Sequence, residues 1–141
     1  RHFWAAPFEV EAEFGGHGNP TRVAPEALAL RMKGGAPPST TIGLVATDAR
    51  LTKAQAKRLA QMADDGLARA VRPAHAPMDG DTVIAVATLE KPLRDTMLEL
   101  TEIGLAAADC LARAIARGVY EATRPGAGYT GPPTYRERFP A

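Results

Sequence analysis

The 141-residue chain holds a single cysteine, Cys110. No internal disulfide can staple it, and the thiol usage leans towards a cytoplasmic location. Neither charge is in real surplus: 17 basic residues against 16 acidic leave a net +1, and neither sign runs in blocks. A nucleic-acid partner is therefore not expected, because such proteins carry a basic patch or stripe. No apolar run approaches the ~20 residues that cross a bilayer. No membrane partner is expected, and no charged-then-apolar leader opens the sequence. The opening "RHFWAAPFEVEAEFGG" lacks methionine and is strand-like from the start, so the sequence reads as entered partway through a longer protein. Internal repeats, a phosphate-loop lysine pattern and a dinucleotide fingerprint are missing too, and no cofactor is expected.

What is there suffices for one packed domain, since 45% of residues are hydrophobic. From Phe8 onward apolar and acidic residues alternate to Phe14, the period of a half-buried strand. "GGHGNP" (15–20) breaks the chain. "ALALRMK" (27–33) is a second candidate strand, although alanine and leucine leave helix open. "GGAPPS" (34–39) is a loop, and "TIGLVATD" (41–48) is an apolar, β-branched strand.

Thr52 opens "TKAQ", a capping box closed by Gln55. Ala56, Leu59, Ala60, Ala63, Leu67 and Ala70 then share one helical face, and Pro73 stops the helix near Arg72. "PAHAPMDGD" (73–81) is a loop and "TVIAVAT" (82–88) an apolar strand. A long helix fills most of 93–123, with Leu100, Ile103, Ala107, Cys110, Leu111, Ala114, Gly118 and Val119 as its stripe. Ala106, Ala107, Ala108 and Gly118 should permit close approach to a neighbour. The tail (124–140) is extended, with Tyr129, Tyr135 and Phe139 as anchors. Alternating helices and strands predict an α/β or α+β class, helix layered on sheet. Both central strands are apolar on two sides, which calls for covering layers from elsewhere in the protein.

Three groups could carry chemistry. Thr40 sits where the Gly/Pro loop meets a strand. A threonine hydroxyl needs a neighbouring base, and a threonine at a chain end has one in its own α-amino group. To gain that group, Thr40 must attack the carbonyl of Ser39 and release the upstream chain. On spacing alone, a Thr-Thr pair opening a strand is also ordinary strand chemistry. Asp79 and Asp81 of "DGDT" could orient a hydroxyl or an ammonium group, one with a raised pKa if they crowd; Asp-Gly is equally common turn chemistry. Calcium lacks its remaining oxygen ligands, so no metal site is expected. His2, His17 and His75 show no ligand spacing and read as surface or structural histidines. Cys110 reads as a buried small hydrophobe.

The stretch "TTIGLVATDARLTKAQAKRLAQMADDGLARAVRPAHAPMDGDTVIAVAT" resembles the start of the small subunit of the DmpA-like peptidase family, most specifically in "TTIGLVATDA", "MADDGLARAVRP" and "DGDTVIAVAT". The resemblance runs from about Phe3 to Val119. That family includes L-aminopeptidase/D-esterases, β-peptidyl aminopeptidases and nylon-oligomer (6-aminohexanoate oligomer) hydrolases. Its members cleave themselves before a serine or threonine into a large and a small subunit, within a four-layer αββα sandwich like that of N-terminal-nucleophile hydrolases. The resemblance implies that this chain supplies part of such a sandwich, with Thr40 as nucleophile and new N-terminus. Asp79 and Asp81 fall on aspartates that support processing and catalysis in the nylon-oligomer branch. The threonine nucleophile and "FWAAPFE…EFGG" point to that branch.

Two departures stand out. Asparagine is common before the nucleophile in that branch, and here Ser39 stands there. The family's lysine and oxyanion-stabilising asparagine are not found in residues 1–39, and Lys33 lies too near the scissile loop to fill the part. The implied organisation is residues 1–39 as the end of the large-subunit portion with the scissile loop, 40–123 as the small-subunit portion, and 124–141 as a tail. The expected partners are the remaining large-subunit segment of the same precursor, a small linear amide substrate such as a 6-aminohexanoate oligomer, and further copies in a homo-oligomer. Rival readings are an aminopeptidase acting on β-peptides or D-amino acid amides, acyl transfer of the ornithine acetyltransferase type, and an uncleaved scaffold or binding relative without catalysis.

Overall fold

A computed structural model describes residues 1–29 and 40–140. The elements are a 3-10 turn at Ala6–Phe8, α1 (Pro25–Leu28), β1 (Ile42–Ala49), α2 (Lys53–Ala70), β2 (Thr82–Lys91), α3 (Thr96–Glu121) and α4 (Tyr135–Arg138). The fold is mixed α/β, with β1 and β2 parallel in one sheet and α2 as the crossover that parallel neighbours require. It is consistent with part of an αββα sandwich, contributing one sheet and one helical layer.

The β1-α2-β2-α3 core follows the sequence pattern closely. Thr52 accepts the amide of Gln55 at 3.3 Å, and the Gln55 side chain accepts the Thr52 amide at 2.7 Å. Leu59, Ala63 and Leu67 of α2 are buried against Val45 and Ala49 of β1 and Leu111 of α3. The register runs from Ile42 opposite Thr82 to Thr47 opposite Ala87, after which an irregularity brings Ala49 opposite Lys91. β2 thus extends three residues past the predicted end. The outward side of the sheet carries Ile42 and Leu44, 74% and 62% exposed, beside Ile84 and Val86, 48% and 42% exposed. Both strands are apolar on two sides, as read from the sequence, and among the described residues only one side is covered.

Some expectations fail. The alternation after Phe8 does not form a strand: Glu11 and Ala12 have φ of 52° and 59°, left-handed values no strand can hold. Glu9 draws the segment into a loop instead, its Oε1 accepting the amides of Phe14 and Gly16, each at 2.9 Å. Phe14 is then buried against Ala112 and Ala116 of α3. The stretch 27–33 begins in the single turn of α1, and residues 30–39, Lys33 and Ser39 among them, lie outside the described residues.

The stripe of α3 is partly rotated: Leu100, Ile103, Ala107 and Leu111 pack in or against the core as expected, but the rest of the face differs. Gly104, Ala108, Leu111, Ala112 and Ala116 are buried, whereas Cys110 is exposed. Small residues decide this. The Gly66 backbone lies so close to the Ala108 carbonyl that a Cβ there would be 2.1 Å from its oxygen, so α3 turns its smallest residues to α2. Among the described residues Gly118, expected at a close approach, has nothing within 4 Å of a built Cβ.

Candidate active site

Parallel pairing sets the starts of β1 and β2 side by side, with the amide of Thr82 donating to the carbonyl of Thr41 at 2.9 Å. One step upstream, the exposed Thr40 lies over Gly80. A Cβ at Gly80 would be 3.0 Å from the Thr40 Oγ1 and 3.5 Å from its Cγ2. Any side chain there would push the threonine aside by a few tenths of an ångström.

Asp81 joins the two segments. Its Oδ1 accepts the amide of Thr41 at 3.0 Å, and its Oδ2 accepts the amide of His75 at 3.2 Å. The side chain is only 7% exposed. Burial is the largest single influence on the carboxyl and pushes its pKa up. The Thr41 and His75 amides, the His75 ring and the Thr41 side chain together outweigh burial and hold it below the ordinary aspartate value. The raised-pKa alternative for a crowded carboxyl therefore does not apply to Asp81. Asp79 sits two residues earlier, its amide donating to the Ala76 carbonyl at 2.8 Å, and the Thr82 hydroxyl donates to the Gly80 carbonyl at 3.2 Å.

The structure thus brings together Thr40 and the DGD turn, 40 residues apart, with the hydrogen bond from Thr41, just ahead of β1, falling on Asp81. Ser39 lies outside the described residues. His2 and His17 stand apart from the turn, as an edge-on ring pair with centroids 6.3 Å apart. Among the described residues no group of three or more His, Cys, Asp or Glu is arranged to hold a metal ion. His75 and Thr41 are the neighbours that sequence reasoning missed. His75 sits six residues before Asp81 with no motif of its own, and only the folded loop turns it back. A groove of about 390 Å³ runs between β1 and α3, lined by Leu44, Ile103, Cys110 and Ala114 among others, away from Thr40.

The geometry thus sets a threonine hydroxyl at a loop-strand junction over a turn whose aspartate binds the next amide. The profile of peptidase family S58 matches residues 8–131, and the chain belongs to that family. Similar proteins include an uncharacterized aminopeptidase of Mycobacterium bovis and one of Mycobacterium tuberculosis, each 48% identical over 114 residues, which is 74% of this chain and 32% of theirs. An uncharacterized aminopeptidase of Mycobacterium leprae is 47% identical over 113 residues, 72% of this chain and 30% of its own. The chain spans about a third of the length of the curated relatives it matches.

Proposed function

We propose that this chain is the nucleophile-bearing part of a self-processing amide hydrolase, with residues 40–123 as its small-subunit portion. The seat of Thr40 over Gly80, at the turn whose Asp81 holds the amide of Thr41, carries the proposal. In processing, the Thr40 oxygen attacks the Ser39 carbonyl. The C–N bond between Ser39 and Thr40 breaks as the new ester C–O bond forms, and the hydroxyl proton passes to the departing nitrogen. Water then hydrolyses the ester, leaving a Ser39 carboxylate and a Thr40 with a free α-amino group.

In turnover that amino group takes the hydroxyl proton as the oxygen attacks a substrate amide, and returns it to the leaving amine. Water completes the cycle by hydrolysing the Thr40 ester. Asp81 fixes the backbone immediately after the nucleophile, and Asp79 and Asp81 together orient the new ammonium group. Oxyanion donors, worth about 3–4 kcal/mol each, and the walls of a substrate cleft come from the rest of the precursor, which also covers the exposed apolar side of the sheet.

The substrate is a linear amide such as a 6-aminohexanoate oligomer. A second reading, cleavage of amino-terminal residues from peptides, is favoured by the aminopeptidase names of the relatives. Internal cuts in 6-aminohexanoate oligomers support the first, and stepwise release of single amino-terminal residues the second. Intact mass of the expressed full-length protein tests the shared mechanism. Cleavage between Ser39 and Thr40 that Thr40→Ala abolishes is expected; an uncleaved, fully active enzyme refutes it.

A further inference from the structure

His75 enters neither processing nor turnover as proposed above, yet it meets Asp81 through both its backbone and its ring. Its backbone amide donates to Asp81 Oδ2 at 3.2 Å, and its ring Nδ1 faces the same oxygen at 3.6 Å. The other ring nitrogen, Nε2, faces Asp64 Oδ2 of α2 at 3.7 Å. A neutral ring has one N–H and can serve only one of these carboxylates; the imidazolium has a donor for each. His75 also holds φ at 55°, a left-handed value uncommon outside glycine. That conformation accompanies the convergence of amide and ring on one oxygen.

We infer that His75 is a positioning residue, clamping Asp81 Oδ2 from the side opposite Thr41 and tying the DGD turn to Asp64 on α2, so that the seat of Thr40 is set by the helix as well as by the sheet. This rests on Thr40 as nucleophile. The chain of contact is short: α2 through Asp64, the His75 ring, the Asp81 carboxylate, the Thr41 amide, and Thr40 next in sequence. Without the ring, Asp81 keeps the Thr41 and His75 amides but loses the link to Asp64, and the turn can shift against α2. The charged groups around Asp81 are the His75 ring from its own loop, Asp64 of α2 behind that ring, and Asp79 two residues earlier in the turn. The α-amino group that processing frees at the start of β1 joins them. The His75 ring is among the groups that hold the Asp81 carboxyl below its ordinary value, so removing the ring should raise that pKa.

Two substitutions in the full-length protein separate this from a purely structural role. His75→Asn keeps the backbone amide, and asparagine tolerates the left-handed conformation, but the ring and both its nitrogens are gone. Asp64→Asn removes the far carboxylate without touching the loop. Each is expected to lower kcat about 3- to 10-fold with KM and the urea midpoint unchanged. His75→Asn should also move the acid limb of the kcat/KM profile to higher pH. The double variant should lose no more than the worse single one. Unchanged kcat and unchanged acid limb in His75→Asn overturn the inference while leaving Thr40 as nucleophile intact.

A direct readout that does not use activity is the titration of the Asp81 carboxyl carbon by 13C NMR in the uncleaved Thr40→Ala protein. It should shift to higher pH when His75→Asn is added, and an unmoved titration overturns the clamp. If Thr40 is not the nucleophile, wild-type protein stays uncleaved and Thr40→Ala stays active. That failure is separate from the NMR result.

Discussion

The same substitution should have opposite effects at two helical glycines, and the contrast measures how closely α2 and α3 cross. An alanine Cβ at position 66 would lie 2.1 Å from the carbonyl oxygen of Ala108, 2.9 Å from its carbonyl carbon and 3.1 Å from its Cα. Even weak C–H···O contacts hold carbon and oxygen about 3.3 Å apart, so the helices must separate by roughly 1 Å. The obstacle is backbone, which has no rotamer to move into, and this places the cost near the upper end of the ~1–3 kcal/mol usual for overpacking. Alanine regains about 1 kcal/mol over glycine in helix propensity. Gly66→Ala should therefore destabilise by about 2 kcal/mol. At Gly118, with nothing among the described residues within 4 Å of the built Cβ, only the propensity gain remains, about 0.5 kcal/mol so near the end of α3. Urea unfolding followed by circular dichroism reads both. With a slope of about 2 kcal/mol/M, the midpoint should fall by about 1 M for Gly66→Ala and rise by about 0.3 M for Gly118→Ala. Equal shifts of one sign, or a stabilised Gly66→Ala, would refute the close crossing and with it the reason given for the rotated face of α3.

Two further substitutions probe the site and the N-terminal segment. Gly80→Ala puts a Cβ 3.0 Å from the Thr40 Oγ1, so cleavage before Thr40, followed by intact mass, should slow at least ~10-fold, the cost of a reacting atom moved by a fraction of the ~1 Å that can cost a hundredfold. Its melting temperature should stay near wild type. The Glu13 carboxyl is held below its ordinary 4.5 chiefly by its hydrogen bond from Arg113 Nε, against a smaller opposing effect of burial. Because the folded pKa is the lower one, the stabilisation is complete above the unfolded value and fades as pH falls through the folded one. Glu13→Gln should therefore lower stability at pH 7 and leave it nearly unchanged at pH 2–3; equal losses at both would show that the charge plays no part.

The part of the fold legible in the sequence is the part specified locally. The Thr52–Gln55 capping box and the spacing of Leu59, Ala63 and Leu67 fix α2 with no help from distant residues, and β1 and β2 are apolar runs that nothing else could accommodate. What misled was position-specific. Alternation from Phe8 to Phe14 has the period of a strand, but one glutamate, Glu9, collects two amides and closes a loop, a tertiary choice no periodicity encodes. On α3 hydropathy favoured the larger side chains, while the close approach of Gly66 to Ala108 favoured the smallest. The candidate site divides in the same way. Thr40, Asp79 and Asp81 were found through motif resemblance, and the sequence treated the two aspartates alike. Their unequal standing depends on which carboxylate meets the Thr41 amide. His75 was passed over because a histidine in a loop carries no spacing signal, and its two carboxylate neighbours come from α2 and from six residues downstream.

The register of the sheet explains why the proposed site stands where it does. In most open α/β sheets ligands gather at the carboxyl ends of the strands; here Thr40 and the DGD turn sit at the amino ends of both. A nucleophile that must become a chain terminus and still be held rigidly has to come first in a strand, since a residue at the end of one could not be freed without cutting the strand away. The pairing of Ile42 with Thr82 then brings residues 80 and 81 level with 40 and 41. The crossover through α2 supplies Asp64 behind His75 on the same side. Parallel pairing thus does for the site what no local motif could: it aligns two strand starts separated by 40 residues so that one carboxylate can hold the backbone beside the hydroxyl. A register shift of one residue would reverse which faces meet, setting Asp81 away from Thr41 and leaving Thr40 without its seat on Gly80.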